Sequence, residues 1–273
     1  MTNGDDSIVL VGAGRMGGAL LAGWLERGVA RANIHVVEPA APAAQDIARR
    51  HGVAVAAEPA SLPASPAPGI VVFAVKPQGL DAIAPAYRRF AGEAAYLSIV
   101  AGKTIATFER HLGRDAAIVR SMPNTPAAVR RGITVACANA NVTPAQRAAC
   151  QALLEAVGEV AWVADEALLD PVTAVSGSGP AYVFLLIECL AEAGRQAGLP
   201  ADLAERLARA TVIGSGELAR LSDESAAKLR QAVTSPGGTT AAALEVLMGE
   251  DGLQQLMVKA VAAATRRSRE LAG

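Results

Sequence analysis

In the first part of the chain, short apolar runs alternate with longer stretches whose apolar residues recur at helical spacing. Uninterrupted apolar runs predict strands buried on both faces, and the stretches between them predict helices. Such an alternation is typical of a doubly wound, mostly parallel sheet. The predicted strands are residues 8–11, 34–38, 53–55, 69–75, 96–100, 116–120, 132–138 and 160–163. The predicted helices are residues 18–28, 39–51, 78–90, 104–112 and 143–157.

The pattern changes after Asp165, beyond which no further strand is predicted. Helices are predicted at 166–175, 181–197, 200–221, 224–233, 240–248 and 253–271, with loops at 176–180 and 234–240. The first half of the helix over 181–197 is apolar on nearly every side, which is typical of a helix that is fully buried. We expect the same region of a second chain to cover this helix. We therefore expect a Rossmann-like domain over residues 1–164, and an all-α dimerisation domain over residues 165–273.

Composition narrows the classes of partner. The 273 residues carry a net charge of −1 and only 3% aromatic side chains, which argues against binding to nucleic acid. No apolar run approaches the roughly twenty residues of a membrane span, so no membrane partner is expected. Residues 1–6 are polar, unlike a secretory signal. Three cysteines without a C-x-x-C pair suggest buried thiols in a reducing cytoplasm, and the three isolated histidines predict no metal site.

A glycine motif follows the first predicted strand. Residues 12–17 read Gly-Ala-Gly-Arg-Met-Gly, which is G-x-G-x-x-G between a strand and a helix. Gly12 permits a tight turn, Gly14 lets the backbone approach a pyrophosphate, and Gly17 lets the helix pack closely. Glu38 ends the second strand about twenty residues later, where a ribose-binding acid is expected. The motif therefore predicts a dinucleotide site, and Lys76, at the end of the strand over 69–75, is a further candidate for cofactor contact.

The predicted helical domain limits the chemistry. It contains no histidine, and its two lysines, Lys228 and Lys259, both lie outside the helix over 181–197. Oxidation of an alcohol needs a general base, and this domain offers few side chains that could serve as one. The glycine, serine and threonine residues of the loops at 176–180 and 234–240 instead offer hydroxyls and backbone N–H groups. Such groups suit a small carboxylate substrate.

Several motifs together resemble the Δ1-pyrroline-5-carboxylate reductases, the enzymes of the last step of proline synthesis. The stretches that carry the resemblance are residues 11–17 (VGAGRMG), 74–78 (AVKPQ), 98–102 (SIVAG), 120–126 (RSMPNTP), 174–182 (AVSGSGPAY) and 234–240 (TSPGGTT). They run in the family's order along nearly the whole chain. The resemblance implies NAD(P)H-dependent reduction of the C=N bond of 1-pyrroline-5-carboxylate to proline. It also implies a dimer whose substrate loop can come from the partner subunit, and some members of the family assemble five dimers into a decamer.

The resemblance also implies roles for individual residues. Thr240 would face the imine nitrogen, and Glu166 would be a substrate-side candidate at the domain junction. The expected substrate-binding residues are Ser235, Gly237, Gly238, Thr239, Thr240 and Glu166. The expected cofactor-binding residues are Gly12, Ala13, Gly14, Arg15, Met16, Gly17, Glu38, Ala74, Val75, Lys76, Pro77, Ala101 and Asn124.

Two departures from the family pattern concern the coenzyme. Residues 57–61 lack the asparagine that family members often place near the adenosine ribose. Glu38 stands where members that prefer NADP tend to have small hydroxyl or basic residues. Either NADP or NAD is therefore expected, with NADH serving relatively well. The alternatives are a β-hydroxyacid dehydrogenase, which needs a lysine on the helix over 181–197, and a non-catalytic dinucleotide sensor.

Overall fold

The computed structural model describes residues 7–62 and 67–272, and it divides the chain into two compact units. The first unit extends to Gly177 and includes the chain from Thr265 onwards, and the second comprises residues 178–264. The polar segment at 1–6, on which the expectation of no secretory signal rests, lies outside the described residues, as do residues 63–66 of the loop after the third strand.

The first unit is built on one eight-stranded sheet. Its strands are β1 (Ile8–Val11), β2 (Ile34–Val37), β3 (Ala54–Ala56), β4 (Ile70–Phe73), β5 (Ala95–Ser98), β6 (Ala117–Met122), β7 (Gly132–Ala138) and β8 (Gly158–Trp162). Their order is β3-β2-β1-β4-β5-β6-β7-β8, and every neighbouring pair is parallel except β6 with β7. The first six strands have the 3-2-1-4-5-6 order of a Rossmann fold. The predicted doubly wound sheet is confirmed.

Helices cover both faces of this sheet. They are α1 (Arg15–Glu26), α2 (Ala41–His51), α3 (Leu80–Ile83), α4 (Ile105–Leu112), α5 (Pro144–Glu155) and α6 (Leu169–Val172). Alternate β1 residues belong to different cores: Leu10 packs with Trp24 of α1, whereas Val9 packs with Phe108 of α4. Successive side chains of a strand point to opposite faces, so each face has its own core. Burial on both faces explains why the strands lack alternation in the sequence.

Side-chain caps fix two of the helix starts that the sequence predicts. The Thr104 hydroxyl accepts a hydrogen bond from the N–H of Thr107 at 3.2 Å, at the start of α4. Thr143 and Gln146 form a reciprocal capping box at the start of α5. Each threonine is the first residue of a predicted helix, over 104–112 and 143–157 respectively.

The helix predicted over 78–90 is wrong in type. The structure has a 3₁₀ turn at Pro77–Gly79, the short α3, and then a 3₁₀ helix at Ala84–Phe90. Pro85 lies in the first turn of that 3₁₀ helix, and a proline has no N–H to continue an α-helical ladder. The proline therefore divides the segment.

The loop predicted at 176–180 is also wrong. Residues Thr173–Gly177 form a π-helix, and the next helix begins at Gly179, so the chain stays helical through this glycine-rich stretch. The wider π turn accommodates an extra residue in a helix, and such turns occur frequently at functional sites. Glycine and serine composition suggested a break because both residues disfavour regular helix.

The regular elements of the second unit are all helices among the described residues, and the last helix extends into the first unit. The helices are α7 (Gly179–Gln196), α8 (Ala201–Leu221), α9 (Ala226–Ala232), α10 (Thr239–Leu247) and α11 (Leu253–Ala272). α7 packs against α8, where Ala204 and Ala208 are buried. A Cβ added to Gly194 of α7 would lie 3.3 Å from the Cβ of Ala204. Small residues on both helices therefore permit a close approach.

Most of the large apolar side chains of α7 are exposed in the single chain. Phe184 and Leu185 are 60% and 56% exposed, so the predicted burial on every side is not supplied within one chain. Cys189, on the same helix, is exposed too, and the expectation of three buried thiols is wrong for it. An exposed apolar helix face of this kind is typical of a surface that binds another protein chain.

One helical stretch, Glu166–Gln196, is long and apolar enough to cross a membrane by length and composition alone. The expectation that no apolar run approaches that length is therefore wrong. The stretch comprises a 3₁₀ turn, α6, the π-helix and α7 in succession, and the apolar residues of α7 dominate its composition. A helix that docks on a second protein chain has the same composition, so this property does not by itself indicate a membrane.

Candidate active site

A cavity of about 580 Å³ opens where β1, β2 and β4 end. The strand register aligns Val11 of β1 with Val37 of β2 and Phe73 of β4, which brings the three carboxyl ends together. The chain leaves β1 for β2 on one side and returns to β4 on the other, so this edge is the topological switch point where such sheets bind ligands. Residues from all three strand ends line the cavity: Val11, Gly12, Gly14, Val37, Glu38, Pro39, Ala74, Val75 and Lys76.

The glycine motif has the geometry of a phosphate-binding turn. Gly12 has a φ of +83°, in the left-handed region that favours glycine. A Cβ on Gly17 would lie 2.4 Å from the carbonyl oxygen of Gly12, so only glycine allows α1 to approach the turn this closely. A Cβ on Gly14 would meet nothing within 4 Å. No side chain caps the N-terminus of α1, which leaves its first N–H groups available for an anion.

Two carboxylates line this cavity. Glu38 follows β2, and its Oε1 accepts a hydrogen bond from the N–H of Ala40 at 3.1 Å, which holds the side chain beside the start of α2. Glu58 lines the same cavity shortly after β3. The sequence analysis noted residues 57–61 only for a missing asparagine and did not identify Glu58, although an acid soon after a strand of this sheet is a usable signal. Among the described residues that line the cavity, Lys76 carries the only positive side-chain charge.

The other predicted cofactor residues lie outside the lining of this cavity. Ala13 and Met16 pack against the core on the α1 side of the sheet, and Arg15 is exposed at the first position of α1. Pro77 begins the 3₁₀ turn after Lys76. Ala101 is exposed in the connection from β5 to α4.

Asn124 joins two further segments of the first unit. Its Oδ1 accepts a hydrogen bond from the N–H of Ile133 at 3.0 Å, and its Nδ2 donates one to the Oγ of Ser176 at 3.2 Å. The amide therefore ties the start of β7 to the π-helix. Both groups of the amide have partners within the chain, so a contact to the cofactor would have to share them.

The connection from β5 to α4, residues 99–104, is called the β5–α4 loop below. Lys103 in this loop donates to Asp81 of α3 at 2.8 Å, and His111 contacts the other oxygen of Asp81 at 2.9 Å. Hydrogen bonds from both residues hold the pKa of Asp81 below its usual value, and the one from Lys103 has the larger effect. Asp81 is 55% exposed, so water screens this cluster.

A more buried charge pair contacts the end of the same loop. Arg120 of β6 donates to Oε1 of Glu166 at 2.7 Å, and the same oxygen accepts the N–H of Ile105 at 2.8 Å. The sequence predicted Glu166 as a substrate-side residue and did not identify Arg120 as its partner. Cys137 pairs with Arg120 across β6 and β7, and burial, reinforced by the charge of Glu166, raises the pKa of its thiol. The thiol is therefore protonated at neutral pH.

The predicted substrate residues lie together in the second unit, apart from Glu166. Residues 234–238 form a turn in which the N–H of Gly238 donates to the carbonyl of Ser235 at 3.0 Å. Gly238 is the N-cap of α10, and no side chain caps that helix. Ser235 is exposed and Thr240 is half-buried. The first N–H groups of α10 therefore lie beside hydroxyl side chains, a combination that suits a carboxylate.

Comparison with known proteins identifies the family. A family model described as "Pyrroline-5-carboxylate reductase dimerisation" matches residues 166–271, and one described as "NADP oxidoreductase coenzyme F420-dependent" matches residues 7–102. A pyrroline-5-carboxylate reductase of Pseudomonas aeruginosa is 41% identical over 97% of this chain and 96% of its own length. The chain belongs to the pyrroline-5-carboxylate reductase family. The family that the motifs predict, and with it an oxidoreductase activity, is confirmed.

Solved structures of pyrroline-5-carboxylate reductases share the architecture of the whole chain. The enzyme of Coxiella burnetii superposes with a TM-score of 0.92 at 35% identity, covering 98% of this chain and 99% of its own. The enzyme of Plasmodium falciparum, solved with NADP bound, superposes with a TM-score of 0.82 at 29% identity and covers 100% of both chains. The sheet and the helices that follow it are thus those of the family.

Proposed function

We propose that this chain reduces the C=N bond of 1-pyrroline-5-carboxylate to L-proline with NAD(P)H, the last step of proline biosynthesis. The observation that carries the proposal is the cavity at the ends of β1, β2 and β4, in a chain that matches a reductase of this name along 97% of its length. Residues 1–164 serve as the dinucleotide-binding domain, and residues 165–273 serve as the substrate-binding and dimerisation domain.

The coenzyme side of the reaction belongs to the first unit. Gly12, Gly14 and Gly17 shape a turn that would hold the pyrophosphate at the N-terminus of α1, and Glu38 would meet the adenosine ribose. Lys76 and Pro77 follow β4 along the same edge of the sheet. Ala101, in the β5–α4 loop, would contact the nicotinamide amide through its backbone. Ala13, Arg15, Met16, Ala74, Val75 and Asn124 complete the proposed cofactor-binding set.

The substrate side belongs to the turn that starts α10. The hydroxyl of Ser235, together with the N–H groups of Gly238 and Thr239, would bind the carboxylate of the pyrroline ring. Gly237, with a φ of +68°, gives the turn its shape. Thr240 would place its hydroxyl against the ring nitrogen. An N-terminal helix turn favours a bound anion, so the substrate carboxylate fixes the orientation of the ring.

Reduction of the C=N bond does not require a strong acid from the protein. When bound, the reduced nicotinamide coenzyme supplies a hydride to the ring carbon of the C=N bond. A C=N nitrogen is protonated far more readily than a ketone oxygen, so no strong acid is needed. The Thr240 hydroxyl would donate a hydrogen bond to the nitrogen, and the proton that the nitrogen gains would come from solvent, directly or through this hydroxyl. The chain contributes orientation and carboxylate binding, which convert an encounter in solution into a reaction between held partners. Glu166, whose Oε1 is held by Arg120, is the remaining substrate-side candidate.

The direct test is a spectrophotometric assay of purified protein with 1-pyrroline-5-carboxylate and either NADPH or NADH. We expect oxidation of the coenzyme that depends on the imine, with proline as the product. A β-hydroxyacid dehydrogenase would instead consume a hydroxyacid and the oxidised coenzyme; α7 carries no lysine to serve it. Binding of coenzyme without any turnover would indicate a dinucleotide sensor and would overturn the proposal.

Self-association should cover the exposed apolar side chains of α7. We expect sedimentation or light scattering at micromolar concentration to show at least a dimer, and the mass distinguishes a dimer from a decamer of five dimers. Phe184→Glu places a charge on that surface and should shift the mass toward the monomer. Val129→Glu changes a residue that is 71% exposed in the first unit, and it should leave the mass unchanged. An active wild-type monomer would contradict the assignment of α7 to a subunit interface.

We further propose that the assembly is cytoplasmic.

A further inference from the structure

Two adjacent residues of β6 hold the two ends of the β5–α4 loop. At its beginning, the hydroxyl of Ser121 donates to the carbonyl of Ser98 at 2.9 Å, and the Oγ of Ser98 accepts the N–H of Val100 at 3.1 Å. At its end, Arg120 holds Glu166, whose Oε1 accepts the N–H of Ile105. The loop between these anchors carries Ala101. One strand thus determines where both ends of the loop lie.

The Arg120–Glu166 pair differs from the exposed ion pairs of this chain. Arg120 is only 6% exposed, and its guanidinium lies against Glu166 at 2.7 Å. A buried guanidinium without a partner is strongly unfavourable, so the presence of each side chain requires the other. The Lys103–Asp81 pair at the same loop is more solvated, because Asp81 is 55% exposed. Water screens such a pair and weakens its hold.

A stability role alone does not require this arrangement. Glu166 uses one oxygen, Oε1, for both Arg120 and the N–H of Ile105, so it couples the strand to the first N–H of α4 rather than simply neutralising Arg120. Carboxylate charge near a helix N-terminus is favourable, which strengthens this link. The bond therefore determines the direction in which the chain enters α4 from the loop.

We propose that Arg120 is a positioning residue for hydride transfer. Through Glu166 it fixes the β5–α4 loop, and with it the backbone of Ala101 that would meet the nicotinamide. This inference rests on the proposed function, because it assigns the nicotinamide to that loop. Arg120 itself need not touch substrate or coenzyme. Misplacing reacting groups by a small distance lowers the rate of the chemical step more than it lowers binding.

The test compares Arg120→Met and Glu166→Gln with the wild type. We expect kcat to fall about threefold to tenfold in each variant, with coenzyme affinity little changed. In Arg120→Met, the KM for the imine should be little changed as well. Stereospecifically deuterated coenzyme should give a larger isotope effect on kcat, because hydride transfer becomes more rate-limiting. The double variant should be no slower than the slower single variant, since both changes break one link.

Leu153→Ala serves as the stability control. Leu153 is buried on α5 and has no part in the loop, so its truncation should lower the melting temperature without raising the isotope effect. Arg120→Lys, which keeps the charge, replaces Arg120→Met if the latter does not fold. Wild-type kcat and isotope effect in both loop-anchor variants would overturn the inference, as would a raised KM for the imine as the only change in Arg120→Met. An inactive wild type would instead overturn the proposed function.

Discussion

Replacing Thr240 with alanine should lower kcat/KM for 1-pyrroline-5-carboxylate by about ten- to a thousandfold, the range for losing one positioned donor. Thr240 follows the uncapped start of α10, where its hydroxyl would donate a hydrogen bond to the ring nitrogen as the hydride arrives at the adjacent carbon. Affinity for NADPH and NADH should change little, because the dinucleotide cavity is formed by residues of the first unit. Steady-state kinetics with imine and coenzyme varied separately measures both effects.

Two further variants show whether the hydroxyl itself is responsible. Thr240→Ser keeps the hydroxyl and should retain most of the activity. Thr211→Ala removes an exposed threonine from α8 in the same unit, and it should behave as wild type. Wild-type kinetics for Thr240→Ala would show that the nitrogen receives its proton without this residue, and the assignment of the turn to the imine would then fail.

The strands and their order of appearance could be predicted from the sequence, because a sheet covered on both faces needs uninterrupted apolar runs. β1 and β7 lie exactly at their predicted bounds, Ile8–Val11 and Gly132–Ala138. The caps at Thr104 and Thr143 were predictable for a related reason, since a cap is a contact between residues close in sequence. Local rules therefore recovered most of the first unit.

The errors arise where neighbours in space override local preference. The π-helix at Thr173–Gly177 is stabilised by contacts such as that of Ser176 with Asn124, which lies 52 residues earlier in the chain. Glycine and serine composition alone indicates a loop there. The Arg120–Glu166 pair likewise joins residues 46 positions apart, so no local pattern shows it. Sequence motifs predict which residues belong to the site, whereas the structure shows which of those residues contact one another.

Replacing Glu38 with serine should shift the coenzyme preference toward NADPH by about tenfold or more, where one decade corresponds to about 1.4 kcal/mol. NADP carries a phosphate of about two negative charges on the adenosine ribose. The carboxylate of Glu38 is held at the start of α2 by the N–H of Ala40, and Glu58 lines the same cavity. A like-charge contact at 4 Å costs about 1 kcal/mol in water and about 4 kcal/mol with protein-surface screening.

Few cations are available to offset this repulsion, because Lys76 carries the only positive charge among the described residues that line the cavity. Arg49 and Arg50 both pair with Asp46 on the solvent side of α2, and Lys76 lies at the end of β4. The wild type should therefore use NADH relatively well for its family, while still accepting NADPH.

The measurement is the ratio of kcat/KM for NADPH to that for NADH in the wild type and in Glu38→Ser. Glu93→Ser is the matched control, because it removes one exposed acid from the same unit without touching the cavity lining, so its ratio should equal that of the wild type. An unchanged ratio in Glu38→Ser would mean that the carboxylate does not face the ribose. Loss of activity with both coenzymes would instead assign Glu38 to holding the start of α2, since serine at this position weakens the bond to Ala40 equally for either coenzyme.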